Sequence, residues 1–377
     1  MNIMRVLFCI DSYFQLILAV NLRTTVYKDY VADIIVYNSI PTAESICIKL
    51  RKLKSFSHVW LAKTSLTRCG NKYSFKEKLP KYGEYLKTIV SPQKRLEKYI
   101  GSSFDYKYDE LIFNGTGALP ECIFNAAYKQ NNQLTCKRIE DSYVNYFTEY
   151  VSQKGKLRIG FESIIQLLFG RKSMEKYVSA FYFEDADLVS IHVPYSIVQA
   201  PKISRENQEL VKTLNFLFDY EPDQILKEKE VIMFEDGRHF FSGDDEEVDI
   251  VKAILKEIDS SKIAVKMHPR RVKSRFDQFG VYTVKNSTVP WEIIQMNMPC
   301  TGKAFLTVSS AVVFSSGMYF NDKCKNILLY KCMKKEYSGL NSNFEQFVTK
   351  YKQKYGAKSI LVPSSYEELV NVIMNKN

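Results

Sequence analysis

The sequence predicts an α/β fold in two halves, and three observations carry that reading. Short apolar runs of strand character alternate with helical stretches, a rhythm that places helices on both faces of a parallel sheet. The rhythm breaks at a polar region over 201–230 and then restarts. The chain has 377 residues, more than one ordinary core holds, so two domains of usual size are expected. The natural architecture is two Rossmann-like domains with a cleft between them, the first over 1–205 and the second over 206–377.

The first half opens with an apolar strand from Met4 to Cys9, a turn and a helix. Asp11, Ser12 and Gln15 interrupt the apolar stretch and no small-residue cleavage site follows, so this is not read as a signal peptide. Ala32 to Tyr37 reads as the next strand. Glu110 to Asn114 is another, followed by the turn Gly115-Thr116-Gly117 and a helix from Leu119 to Lys129. Leu134 to Glu140 resembles a further strand and ends in the acidic pair Glu140-Asp141. The polar region holds a helix from Arg205 to Phe218. In the second half, Val231 to Phe234 is a strand and Glu246 to Ile258 a helix with apolar residues at helical spacing. Strands follow at Ile263 to Lys266, within Thr301 to Ser309, and at Asn326 to Tyr330. A closing helix from Glu367 to Met374 is capped by Ser364-Ser365. There is no internal repeat and no run of 18 apolar residues, so no membrane span is expected.

Composition narrows the function classes. Hydrophobic residues are 46% and charged residues 25%, which excludes a disordered chain. The 25 Tyr and 24 Phe suit large cores and sugar-stacking surfaces alike. The formal net charge of +11 is scattered, with local knots at Lys76, Lys78 and Lys81, at Lys94, Arg95 and Lys98, and at Arg270, Arg271, Lys273 and Arg275. No nucleic-acid motif accompanies it, so nucleic acid is not an expected partner. A basic balance draws phosphate-bearing donors or the anionic inner leaflet of a membrane. A non-catalytic, basic polyanion-binding protein is the reading from a different class. The eight Cys form no CxxC pair, so zinc is not expected, and they read as reduced core residues of a cytoplasmic protein.

Four short motifs follow one another in the second half: Phe234-Glu235-Asp236-Gly237, Lys266-Met267-His268-Pro269-Arg270, Val289-Pro290-Trp291-Glu292 and Thr307-Val308-Ser309-Ser310. Ligands of open parallel sheets bind beyond the carboxyl ends of the strands, and three of these motifs follow strands directly. A lone His is more often structural, but His268 stands between Lys266 and Arg270, where imidazole can protonate or hydrogen-bond a phosphate. Ser309 and Ser310 offer hydroxyls and backbone N–H groups at a helix start, either as an ordinary cap or as a phosphate cradle. Ser315 and Ser316 are a competing pair. Glu292 either grips two ribose hydroxyls or is a first-turn acid facing a helix dipole. Asp236 is either a base or a turn Asp, and Glu140-Asp141 is the rival for that role.

This ordered set of acid-acid-Gly, Lys-x-His-Pro-Arg, Pro-x-Glu and Ser-Ser resembles bacterial sialyltransferases of the GT-B fold, most of all glycosyltransferase family 52, which includes lipooligosaccharide and capsule sialyltransferases. The resemblance extends over most of the chain, including the strand from Arg5 to Ile10 and the helix that holds Gln15. It implies a CMP-sialic acid donor, inversion at the anomeric carbon, no required metal or other cofactor, and a galactose-terminated glycan acceptor in capsule or surface polysaccharide. By the resemblance, His268 is the acid or phosphate partner of CMP, Ser309 and Ser310 bind its phosphate and Glu292 its ribose, with Lys266, Pro269 and Arg270 beside them. Asp236 is the expected base. Related families place the base in an acidic pair of the N-terminal domain, here Glu140 or Asp141, although Ser142 stands where they have Gly. A CDP-glycerol-type or other nucleotide donor stays open, as does a homodimer, and the expected location is cytoplasmic, with peripheral contact to the inner face of the membrane.

Overall fold

The computed structural model describes residues 3–63, 75–115, 117–148, 164–235, 245–269, 273–333 and 340–374. The chain divides into two compact units, Met1–Asp187 with Ile191–Pro201, and Leu188–Ser190 with Lys202–Asn377.

The first unit is built on a seven-stranded sheet. Its strands are β1 (Arg5–Ile10), β2 (Val31–Tyr37), β3 (Val59–Ala62), β4 (Glu110–Phe113), β5 (Thr135–Ile139), β6 (Val178–Phe183) and β7 (Ser196–Gln199), in the order β3-β2-β1-β4-β5-β6-β7. Every pairing is parallel. Val6 to Ile10 are all buried, as are Ile34 to Tyr37, which is what a strand covered on both faces requires of its sequence. The sequence reading finds β1, β2, β4 and β5 but not β3, β6 or β7. The first and last of these are four-residue edge strands, and β7 is largely exposed, so neither carries a long apolar run. Ser12 caps the helix Tyr13–Thr24, its hydroxyl accepting from the Gln15 N–H at 3.2 Å.

A buried carboxylate holds the start of this sheet together. Asp33 in β2 is fully buried and accepts hydrogen bonds from Arg5 Nε (2.8 Å), the His58 N–H (2.8 Å) and the Tyr108 hydroxyl (2.7 Å). Arg5 Nη2 lies 2.6 Å from the same carboxylate, and the guanidinium sits 4.3 Å over the Tyr106 ring. One acid thereby links β1, β2, the entry to β3 and the approach to β4. A charge so placed is tolerable only while its partners remain.

The second unit has a five-stranded, wholly parallel sheet. Its strands are β8 (Val231–Phe234), β9 (Ile263–Lys266), β10 (Tyr282–Thr283), β11 (Ala304–Thr307) and β12 (Lys325–Leu328), in the order β10-β9-β8-β11-β12. One face buries Val231, Met233, Ile250, Val265, Leu306 and Ile327. On the other, Phe234, Trp291 and Phe305 meet edge to face at 4.7–5.5 Å and seat the helix Trp291–Asn297 against the sheet.

The helix expected from Arg205 begins instead at Gln208, behind the cap Asn207. Arg205 is occupied elsewhere: it grips both oxygens of Asp322 at 2.9 and 2.6 Å and donates to the Gln295 carbonyl. The helix expected to reach Ile258 ends at Leu255. The closing helix is Tyr366–Met374, with Ser365 Oγ accepting from the Glu368 N–H at 3.1 Å. Among the described residues no helix is long and apolar enough to cross a membrane. Seven cysteines carry free thiols, six of them buried, and Cys69 lies outside the described residues.

Replacing Asp33 with Ala strands Arg5 and His58 without their acceptor. The expected loss is on the order of 3 kcal/mol of unfolding free energy, read as a lowered urea midpoint. A midpoint equal to wild type would show that the network contributes nothing net.

Candidate functional site

In the second unit, strand register gathers the sequence motifs. Lys266 pairs with Phe234, and Phe234 with Thr307, so the last residues of β9, β8 and β11 lie level across three neighbouring strands. Residues more than 30 positions apart therefore open from one edge of the sheet. The strand order also reverses between β8 and β11, the kind of switch point where open sheets bind ligands.

Lys266 is buried at that edge, and its ammonium donates to the Ser287 carbonyl at 2.7 Å and reaches that of Asn286 at 3.5 Å. Loss of solvation pushes its pKa down to about 7, with Glu292 pulling the other way. Glu292 sits in the first turn of the helix Trp291–Asn297. Burial raises its carboxyl above the usual range, opposed by the backbone at the helix start and by Lys266. Lys266 and Glu292, separated in sequence, are thus electrostatic neighbours, each pushed towards its neutral form by its surroundings. Met267, His268 and Pro269 follow β9 and are half-buried.

Ser309 and Ser310 follow β11. Ser309 is buried and Ser310 half-buried, and the Ser310 N–H is turned onto the Thr307 hydroxyl at 3.0 Å. The competing serines are used inside the unit: Ser315 Oγ lies 2.7 Å from Gln295 Oε1, and Ser316 Oγ lies 2.9 Å from Asn326 Oδ1, both buried. Glu235, directly after β8, accepts from the Arg275 backbone N–H (3.2 Å) and Nε (3.0 Å), and Arg275 also pairs with Glu247. Glu235 is a structural ion-pair member. Asp236 and Arg270 lie outside the described residues.

In the first unit, Glu140 and Asp141 follow β5 and have opposite environments. Glu140 is buried, and burial together with nearby Glu184 and Asp185 drives its carboxyl well above the ordinary range. Burial thus disfavours the charged form of Glu140, whereas Asp141 is the more accessible carboxylate of the pair. Asp141 is half-buried, and its Oδ1 accepts from Gln15 Nε2 at 2.9 Å, a nitrogen that also reaches Asp11 Oδ1 at 2.7 Å. Asn145 Oδ1 takes the Asp141 N–H at 2.7 Å, and Ser142 opens the short turn Tyr143–Tyr146 in a reciprocal cap. Ser142 has extended backbone, with φ −172°, so its position makes no demand for Gly. Asp11, Gln15 and Asp141 thus meet at the carboxyl ends of β1 and β5. In the sequence, Asp11 and Gln15 read as breaks in an apolar stretch, with Gln15 also on the helix within the resemblance, and neither reads as a site residue. The signal available was their place just after the first strand.

The pKa of Lys266 makes a stability prediction. Its folded value lies below that of the unfolded chain, so between pH 7 and about 10 the unfolded state holds more protons and wild-type stability rises with pH. Lys266→Met removes this contribution. The wild-type minus variant unfolding free energy is expected to rise by up to about 1.4 kcal/mol per pH unit across that window. A flat difference would mean that the ammonium is solvated.

No protein-family model and no curated protein matches the chain. Solved structures are similar in fold. The glycotransferase of kitacinnamycin aligns with a TM-score of 0.54 at 9% identity, covering 99% of this chain and 90% of that one. UDP-GlcNAc 2-epimerase from Neisseria meningitidis bound to UDP-GlcNAc aligns at 0.52 and 12%, covering 98% and 90%. Arabidopsis thaliana UGT89C1 complexed with UDP aligns at 0.52 and 11%, covering 99% and 90%. At such identities the likeness is one of fold, and with the two parallel sheets above it gives this chain the GT-B fold of two Rossmann-like domains.

Proposed function

We propose that this protein is a glycosyltransferase that uses a nucleotide-activated sugar, and that its donor is CMP-sialic acid and its acceptor a terminal galactose or similar sugar of a surface glycan. The observation that carries the reading is the level register of Lys266, Phe234 and Thr307, which brings the His268 segment and Ser309-Ser310 to one edge of the second sheet, with Glu292 an electrostatic neighbour of Lys266. The order of the motifs, like that of the sialyltransferases they resemble, supports the choice of donor.

The chemistry divides by residue. The bond from the anomeric carbon to the CMP phosphate oxygen breaks, and the electron pair leaves with the phosphate. Ser309 and Ser310 donate to the phosphate, His268 protonates or hydrogen-bonds it, and Lys266 becomes cationic as the anion approaches. Glu292 accepts from the ribose hydroxyls. The oxocarbenium-like centre is attacked from the opposite face by the acceptor hydroxyl, whose proton passes to a carboxylate. Asp141 suits that role because it is half-exposed and oriented by Gln15. Asp236, the base expected from the sequence, remains the alternative. No step calls for a metal ion.

The same chemistry with a different nucleotide is the second reading. It is favoured by the UDP-GlcNAc and UDP carried by two of the structures of similar fold.

CMP-sialic acid incubated with a galactoside is expected to give sialylated product and CMP. His268→Ala should lower turnover by about 10²–10³-fold, and Asp141→Asn by about 10²–10⁴-fold with donor binding retained. Near-wild-type turnover in Asp141→Asn would move the base to Asp236. Neither transfer nor slow hydrolysis of CMP-sialic acid, with turnover of a UDP-sugar instead, would replace the first reading with the second.

A further inference from the structure

The helical turn over 164–168 is inside out. Ile164, Leu167 and Leu168 stand at i, i+3 and i+4, the spacing of one apolar stripe, which a soluble domain turns inward. Here the stripe faces solvent: Ile164 is 59%, Leu167 70% and Leu168 78% exposed, and Phe169 follows at 48%. Gln166, the polar residue among them, is buried.

This orientation is held in place. The Arg171 N–H donates to the Gln166 carbonyl at 2.8 Å. The Arg171 guanidinium donates to the carbonyls of Ile89 (2.8 Å) and Val90 (2.7 Å), at the end of the helix Phe75–Val90. Asn125 clasps the Lys172 backbone with two bonds of 3.0 Å. Cations surround the apolar turn. Arg171, Lys172 and Lys176 line a shallow groove with Ile164 and Leu167, and Lys94, Lys129 and Arg171 line the adjoining one, where Glu97 is the acid present among the lining residues.

We propose that this face docks the protein on an anionic lipid bilayer. Leu167, Leu168 and Phe169 enter the boundary between headgroups and acyl chains, and the five cations meet lipid phosphates. The charge pattern selects this occupant. A second copy related by a two-fold axis would set the cations of one face against those of the other, and a nucleic acid would leave the leucines without a partner. The inference is independent of the donor proposed above.

Co-sedimentation of the full chain with vesicles tests it. Binding is expected to phosphatidylcholine vesicles containing phosphatidylglycerol, weakening as salt rises, and little or none to phosphatidylcholine alone. Leu167→Ser with Leu168→Ser, and separately Lys172→Glu with Lys176→Glu, should each reduce partitioning by about tenfold or more with unchanged circular dichroism. The proposal is overturned if wild type ignores anionic vesicles at low salt, or if either double variant binds them like wild type. A leucine variant that turns a dimer into a monomer with undiminished vesicle binding would assign the face to a second copy instead.

Discussion

Parallel pairing is the constraint on which the candidate site rests. When all strands of a sheet run the same way, their carboxyl ends share one edge, and whatever follows them in sequence converges there. In the second unit, Phe234, Lys266 and Thr307 end their strands in register, so the segments that follow leave from one line. The edge is also where the apolar core stops. The triad of Phe234, Trp291 and Phe305 closes the core just beneath it and fixes the helix that carries Glu292. The position of that acid is thus a consequence of aromatic packing one residue away.

Burial at the edge has an electrostatic consequence. Lys266 is lowered to about 7 and Glu292 is raised, in each case mainly because solvent is excluded. Groups whose charged forms are disfavoured in this way respond strongly to a charged ligand, since a shift of one pKa unit corresponds to about 1.4 kcal/mol. In the first unit the same physics separates two adjacent acids. The Glu140 carboxyl, buried beside Glu184 and Asp185, is pushed well above the ordinary range, whereas Asp141 is half-buried and accepts from Gln15. Two carboxyls with divided environments can hold divided roles.

Much of this was legible in the sequence, and the exceptions have physical causes. Strands covered on both faces, such as Val231–Phe234 and Ile263–Lys266, announce themselves as unbroken apolar runs. β7 and the two-residue β10 offer no such run, because an edge or a partner of two residues needs little apolar surface. Arg205 has the local pattern of a helix start, but its guanidinium is committed to Asp322, 117 residues away, and no local pattern records that. Ser309-Ser310 and Ser315-Ser316 look alike as dipeptides. They differ because Gln295 and Asn326 hold the second pair inside the core. Gln15 carries no site signal of its own, since its partner Asp141 follows β5, two places from β1 in the sheet.

The central claim is that a nucleotide phosphate binds at the Lys266 edge, and proton-linked calorimetry tests it directly. Titrating CMP into the protein at pH 8 in buffers of different ionisation enthalpy reads the protons taken up on binding. Lys266, mostly neutral at that pH with its pKa near 7, should gain a proton as the phosphate arrives. The account predicts net proton uptake in wild type that falls in Lys266→Met to whatever His268 takes up. Binding without buffer dependence, or uptake undiminished in the variant, would contradict it.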